Sequence, residues 1–183
     1  MADTAAGGED EILLSTRIFD VVRRHYQAAD GSRHQRAVVE HPGAVTILPL
    51  LDAEHVCLIE NFRIAVRQTL IELPAGTLEP GEDPLNTARR ELTEETGYRA
   101  GTIQRLTEFY LSPGILNERM HLYLATELSP GDKQLEAGEQ IENLVVPFST
   151  ALSWIDDGRI QDAKTIVGLL YYSSRQRAEG RGQ

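Results

Sequence analysis

Three glutamates, Glu91, Glu94 and Glu95, crowd into the stretch Arg90-Glu91-Leu92-Thr93-Glu94-Glu95-Thr96-Gly97-Tyr98. At about 100° per residue of an α-helix, Glu95 falls about 40° to one side of Glu91 and Glu94 about 60° to the other, so all three project from one face. Like charges four apart destabilise a helix by a few tenths of a kcal/mol. A cation at their meeting point offsets that cost. Carboxylate oxygens with no His or Cys beside them suit a hard dication, Mg²⁺ or Mn²⁺, rather than zinc. The competing reading is a solvated acidic face on an ordinary surface helix.

The glutamates need a helix to aim them, and the local sequence supplies one over 84–96. Leu85, Ala88 and Leu92 form one apolar stripe at i, i+3 and i+7. Asp83 is a good N-cap, and Pro84 sits at the first helical position, where its missing N–H costs nothing. Gly97 fits the left-handed residue that ends a helix. Before it, β-rich stretches predict strands over 18–28 and 35–41, joined by a turn at Asp30-Gly31. A buried strand over 44–51 follows, with 56–61 as its hairpin partner, and then a short strand over 69–73. After the helix come strands over 102–110, 119–127 and 143–146, then helices over 149–157 and 162–175, with Gly158 between them. The order predicts an α+β or α/β sandwich of mixed sheet and helices.

The acidic stretch is part of a longer pattern. Gly76, five residues, Glu82, seven residues, then Arg90 to Tyr98 resembles the Nudix box of the Nudix hydrolase superfamily at each defining position. The resemblance extends from about residue 18 to 175. It implies the Nudix fold, a mixed β-sheet sandwich flanked by helices, with the box as loop-helix-loop. It also implies roles: Glu91, Glu94 and Glu95, with the main-chain carbonyl of Ala75, as metal ligands, and Arg90 as the residue that orients them. Glu82 matches a box position that is more often structural. The reaction implied is metal-dependent hydrolysis of a nucleoside diphosphate linked to another group.

Features outside the box resemble the ADP-ribose pyrophosphatase branch: Ile59-Glu60-Asn61-Phe62-Arg63, Glu72-Leu73-Pro74-Ala75-Gly76, and Pro113 in Ser112-Pro113-Gly114, fifteen residues beyond Tyr98. That likeness implies cleavage of ADP-ribose to AMP and ribose 5-phosphate, and an N-terminal antiparallel β arm exchanged across a homodimer. Related enzymes on the same plan cleave GDP-mannose or other nucleotide sugars, and Asn117-Glu118-Arg119 would serve either substrate. Arg63 and then Arg67 are candidates for holding phosphate or ribose. Phe19, Tyr26 and Phe62 offer flat apolar faces for adenine. The base is expected in the loop 135–143, with Glu139 first and Glu142 second. A non-catalytic ADP-ribose sensor is the reading from another class, and the intact box argues against it.

Bulk properties set the frame. The 183 residues suit one domain with an added arm: a disordered tail over 1–10, the arm over 11–42, the hydrolase domain over 43–175 and a frayed tail over 176–183. A net charge of −10 argues against broad binding to nucleic acid or anionic membrane. No apolar run approaches the ~20 residues that span a bilayer. The start MADTAAGGEDE has neither basic nor apolar signal regions. Cys57, the single cysteine, sits in an apolar run and reads as a core residue. A cytoplasmic location is the default expectation.

Overall fold

The computed structural model describes residues 10–135 and 140–180. The chain opens with a three-stranded antiparallel sheet in the order β1-β2-β3, from β1 (Glu11–Ser15), β2 (Asp20–Gln27) and β3 (Arg33–Glu40). Asp20 pairs with Glu40 at one end of the β2–β3 hairpin and Gln27 with Arg33 at the other. Gly31 takes φ 83° in the connecting turn, and the Asp30 carboxylate accepts a bond of 2.9 Å from the Ser32 N–H. The strand predicted from residue 18 starts later. The Thr16 hydroxyl accepts from the N–H groups of Ile18 and Phe19, which bends the chain before β2 begins. Strand β1 lay unpredicted because Ile12-Leu13-Leu14 is a short run without alternation, and all five of its residues are exposed.

The centre of the fold is β4 (Ala44–Pro49), whose six residues are all buried. It lies in a four-stranded sheet of order β7-β4-β9-β8, with β7 (Ala75–Thr77), β8 (Arg99–Tyr110) and β9 (Arg119–Ser129). Strands β4 and β9 run parallel, while β4 and β7 run antiparallel. A second sheet, β10-β5-β6, is formed by β5 (His55–Arg63), β6 (Gln68–Glu72) and β10 (Ile141–Pro147). The expected β4–β5 hairpin is therefore a correction: the two strands sit in different sheets and share a single bridge, Leu50 to Val56. Both edges of β4 are taken by β7 and β9. Its continuous apolar run reflects burial on both faces, as in parallel sheets.

Alternation along β4 divides the core. Val45 and Ile47 pack with Ala88 and Leu92 of α1 (Pro84–Thr96) and with Tyr123 and Ala125 of β9. Leu48 and Leu50 join Leu58, Leu73 and Leu122, together with Ala151 of α2 (Phe148–Asp156) and Leu169 of α3 (Ala163–Gly180). Helix α1 has the predicted bounds and caps. The Asp83 carboxylate accepts from the Leu85 N–H, and Gly97 stops the helix at φ 77°. Helix α3 runs five residues beyond the predicted 175, into the expected frayed tail. Arg175 and Glu179 form an i,i+4 pair at 3.7 Å there, which suits a helix. Residues 1–9 and 181–183 lie outside the described residues. No helix among the described residues is long and apolar enough to cross a membrane.

Candidate active site

Helix α1 is anchored by Ala88 and Leu92, both fully buried, and this fixes which way its other faces point. Arg90, Glu91, Glu94 and Glu95 then line a cleft of about 770 Å³. The cleft is completed by Ala75, Gly76 and Thr77 of β7, by Asn61 and Arg63 of β5, and by Phe19, Asp20 and Glu40 at the base of the arm. Three separate parts of the chain therefore meet at the acidic face.

The carboxylates are held by defined partners. Arg90 Nη1 donates to Glu91 Oε1 at 2.8 Å and to Glu94 Oε2 at 2.9 Å. Its Nε and Nη2 donate to Glu82 at 3.3 and 3.2 Å. Partial burial works to lower the Arg90 pKa. The bond to Glu82 and the charges of Glu91 and Glu94 outweigh that and raise it above the ordinary arginine value. The same guanidinium holds the Glu82 carboxyl below its usual range. Glu95 is 4% exposed and accepts from the Ala75 N–H at 2.8 Å. A Cβ on Gly76 would overlap the Glu91 carboxylate, so that glycine makes room for a side chain of α1.

The carboxylates that line the cleft offer oxygen donors, which suit a hard divalent cation. Among the described residues no group of three or more acidic, His or Cys side chains is already arranged around a metal position. Arg90 draws Glu91 and Glu94 to itself, and Glu95 is engaged by Ala75.

Of the other predicted residues that the structure describes, Phe19 and Arg63 line the cleft, and Arg67, Phe62, Tyr26, Pro113, Glu118 and Glu142 do not. Arg67 sits at φ 55° in the β5–β6 turn, with its N–H bonded to the Arg63 carbonyl at 2.8 Å. Tyr26 stacks on His34 near the tip of the arm, with ring centroids 5.4 Å apart. Pro113 is exposed in the loop before β9, while Glu118 approaches His41 at 3.7 Å. Phe62 and Glu142 border a second cleft of about 490 Å³ with Glu60, Thr69 and Leu135. Glu139 lies outside the described residues.

Sequence reasoning missed the acid behind Arg63. Glu72, fully buried, accepts from Arg63 Nε at 2.8 Å and Nη2 at 2.6 Å, and from Lys164 of α3. The available signal was a lone acid closing a strand, directly before Leu73-Pro74-Ala75-Gly76. Asn117, named with Glu118 and Arg119 as serving the substrate, is a wall residue of the cleft. Its amide oxygen accepts from the His41 N–H at 2.7 Å and ties the loop after β8 to the arm.

Comparison with known proteins places this geometry. A family model for the NUDIX domain matches residues 40–167. The chain is 36% identical to an ADP-ribose pyrophosphatase of Bacillus subtilis over 168 residues, covering 91% of each chain. It is 34% identical to a methanol dehydrogenase activator of Bacillus methanolicus, over 88% of each. It is also 37% identical to a GDP-mannose pyrophosphatase of Klebsiella pneumoniae, over 89% of this chain and 85% of the relative. Among solved structures, an ADP compounds hydrolase superposes with a TM-score of 0.82 over 94% of both chains at 22% identity, which shows the shared fold. The family match covers the acidic helix, the glycine beneath it and the sheets that carry them, and the chain belongs to the Nudix hydrolase family.

Proposed function

We propose that the protein hydrolyses the pyrophosphate bond of a nucleoside diphosphate sugar, with ADP-ribose as the preferred substrate and AMP and ribose 5-phosphate as products. The observation that carries this reading is the placement of Glu91, Glu94, Glu95 and Arg63 on the walls of one cleft. The names of the Bacillus subtilis and Klebsiella pneumoniae relatives support the substrate class.

The carboxylates of Glu91, Glu94 and Glu95, with the Ala75 carbonyl, would hold Mg²⁺, with Mn²⁺ as a substitute. A divalent ion bound there draws charge from the phosphoryl oxygens and acidifies a water. Arg90 keeps Glu91 and Glu94 together and limits their mutual repulsion. Arg63 faces the cleft and supplies positive charge to the pyrophosphate. Phe19, at the rim, offers its ring to the base. Water adds its oxygen to one phosphorus, the bridging P–O bond breaks with its electrons going to the leaving phosphate, and the water proton passes to a glutamate. Glu139 is assigned as that base, with Glu142 as the second candidate.

The same proposal includes a homodimer through the arm. Ile12, Leu14, Ile18 and Phe19 are all at least 36% exposed on it, an apolar surface suited to a second copy. Tyr26, Arg67, Phe62, Pro113 and Glu118 would then act from the arm, hairpin and loop around the substrate. A cytoplasmic setting and the absence of a nucleic-acid partner complete the proposal, on the strength of the acidic charge and the lone buried Cys57.

A GDP-mannose pyrophosphatase is the second reading, favoured by that relative's end-to-end similarity. Phosphate release in a coupled phosphatase assay with Mg²⁺, on ADP-ribose, GDP-mannose, ADP-glucose, NADH and diadenosine polyphosphates, decides between them. Preference for ADP-ribose is expected. Preference for GDP-mannose would keep the chemistry and overturn the substrate. No turnover on any of them would overturn the enzymatic reading in favour of a sensor.

A further inference from the structure

Behind Arg63 runs a chain of alternating charges that the reaction scheme leaves unused: Glu72, Lys164 and Asp162. Arg63 closes β5 and Glu72 closes β6, on the same face of the sheet, because Ile59 pairs with Glu72 and Arg63 with Gln68. The Arg63 side chain is 41% exposed and reaches the cleft, whereas those of Glu72 and Lys164 are 1% and 8% exposed. Two parallel bonds from Nε and Nη2 fix the guanidinium plane on the Glu72 carboxylate and leave the Nη1 N–H groups for a ligand. Lys164 Nζ bonds to the same Glu72 Oε2 that Arg63 uses, and to Asp162 Oδ2 at 3.0 Å.

The first turn of α3 holds this assembly against the segment that leads into the site. The Leu73 N–H donates to Thr165 Oγ1 at 2.7 Å. Thr165 donates to the Asp162 carboxylate from its hydroxyl at 2.6 Å and from its N–H at 2.9 Å, so Asp162 caps the helix. Burial pushes the Glu72 carboxyl up, but Arg63 and Lys164 together outweigh it and keep Glu72 ionised.

We propose that Lys164, acting through Glu72, is a positioning residue for Arg63. With Lys164 present, Glu72 is already half neutralised and fixed in place, and Arg63 rests on a rigid carboxylate with its free edge at the cleft. Without Lys164, Arg63 alone must neutralise a buried carboxylate, and its guanidinium is drawn off the cleft wall. This inference rests on the assignment of Arg63 to the substrate pyrophosphate.

The test is a double-mutant cycle between Lys164→Met and Arg63→Ala, read as kcat and KM on whichever nucleotide sugar the wild type hydrolyses, with melting temperature measured in parallel. Lys164→Met is expected to lower kcat/KM about 10-fold, mainly through KM, and to add nothing further in the Arg63→Ala background, since residues in one network are not additive. Lys164→Arg is expected to restore most of the loss. A Lys164→Met effect of equal size with and without Arg63 would overturn the proposal, as would a lower melting temperature with unchanged kcat/KM. Should Lys164→Met fail to fold, Lys164→Gln takes its place in the cycle under the same criteria. A wild type that turns over no nucleotide sugar would instead sink the proposed function. If Arg63→Ala alone leaves kcat/KM unchanged, the assignment of Arg63 fails and the positioning role fails with it.

Discussion

The Glu91 carboxylate lies where the Cβ of any residue but glycine at position 76 would stand. A glycine of β7 and a glutamate of α1 thus share one volume at the floor of the cleft. Gly76 is needed there for space, since its backbone does not take a left-handed φ.

Gly76→Ala is therefore predicted to act on catalysis more than on folding. The displaced group is the end of a flexible side chain, so the overlap is relieved by moving Glu91, at about 1–3 kcal/mol at most. The expected result is a folded protein whose kcat falls by about 100-fold or more, consistent with a loss of metal-ion catalysis. Steady-state kinetics and a thermal melt on the same sample check it. Full activity would show that the Glu91 position is dispensable.

Arg90→Ala should expose the competition between arginine and metal. Arg90 contacts Glu82, Glu91 and Glu94 within 3.3 Å. Its removal leaves partly buried carboxylates without a counter-charge, which costs about 1–3 kcal/mol. A divalent ion supplies the missing charge. The stability deficit is expected in EDTA and should shrink when Mg²⁺ is added. Melting curves in the two buffers measure this, and an equal deficit in both contradicts it.

The two glycines that end helical segments should differ in their tolerance of alanine. Gly97 and Gly158 have φ of 77° and 79°. A Cβ on Gly97 would meet the Gly131 carbonyl oxygen at 2.6 Å, whereas nothing lies within 4 Å of one on Gly158. Gly158→Ala pays the left-handed cost alone, roughly 1 kcal/mol. Gly97→Ala adds a backbone clash and should cost clearly more, roughly 2–3 kcal/mol. Urea unfolding midpoints of the two variants give the comparison.

Acid stability should report on Glu72. Its carboxyl is held below the ordinary glutamate value of 4.5 in the folded protein, where burial is outweighed by Arg63 and Lys164. The unfolded chain therefore takes up this proton first. The stabilisation is complete above pH 4.5 and is lost as pH falls through the lower folded value. Glu72→Gln should lose stability at neutral pH and show a flatter decline below pH 4.5 than the wild type. Parallel slopes would contradict the sign.

What could be read from the sequence was local. Helix α1 was legible from Asp83, Pro84, the Leu85/Ala88/Leu92 stripe and Gly97, because each acts within a turn of its neighbours. The box glutamates followed, since a helix fixes their common side. The β2–β3 pair was legible from its Asp30-Gly31 turn, but the partners of the central strands were not. Strand β4 pairs with β9, whose partner residues lie far along the chain, and the short β7 passes through Ala75-Gly76-Thr77, which carries no β-rich signal. Nor could spacing place Lys164 on Glu72, since 92 residues separate them. The state of the carboxylates also escaped the helical wheel, which puts them on one side but says nothing of how Arg90 and the Ala75 N–H divide them.

The central claim is that the carboxylates of α1 drive hydrolysis of a nucleotide sugar through a bound divalent ion. Its most direct test is turnover of ADP-ribose with Mg²⁺ by Glu94→Gln and Glu95→Gln beside the wild type, with folding verified by thermal melts. Glutamine at 95 can still accept from the Ala75 N–H, so the bond of 2.8 Å seen there is kept while the charge is lost. The account predicts two folded proteins with kcat reduced by about 100-fold or more, the scale expected when metal-ion catalysis is removed. Wild-type turnover by both variants would contradict it.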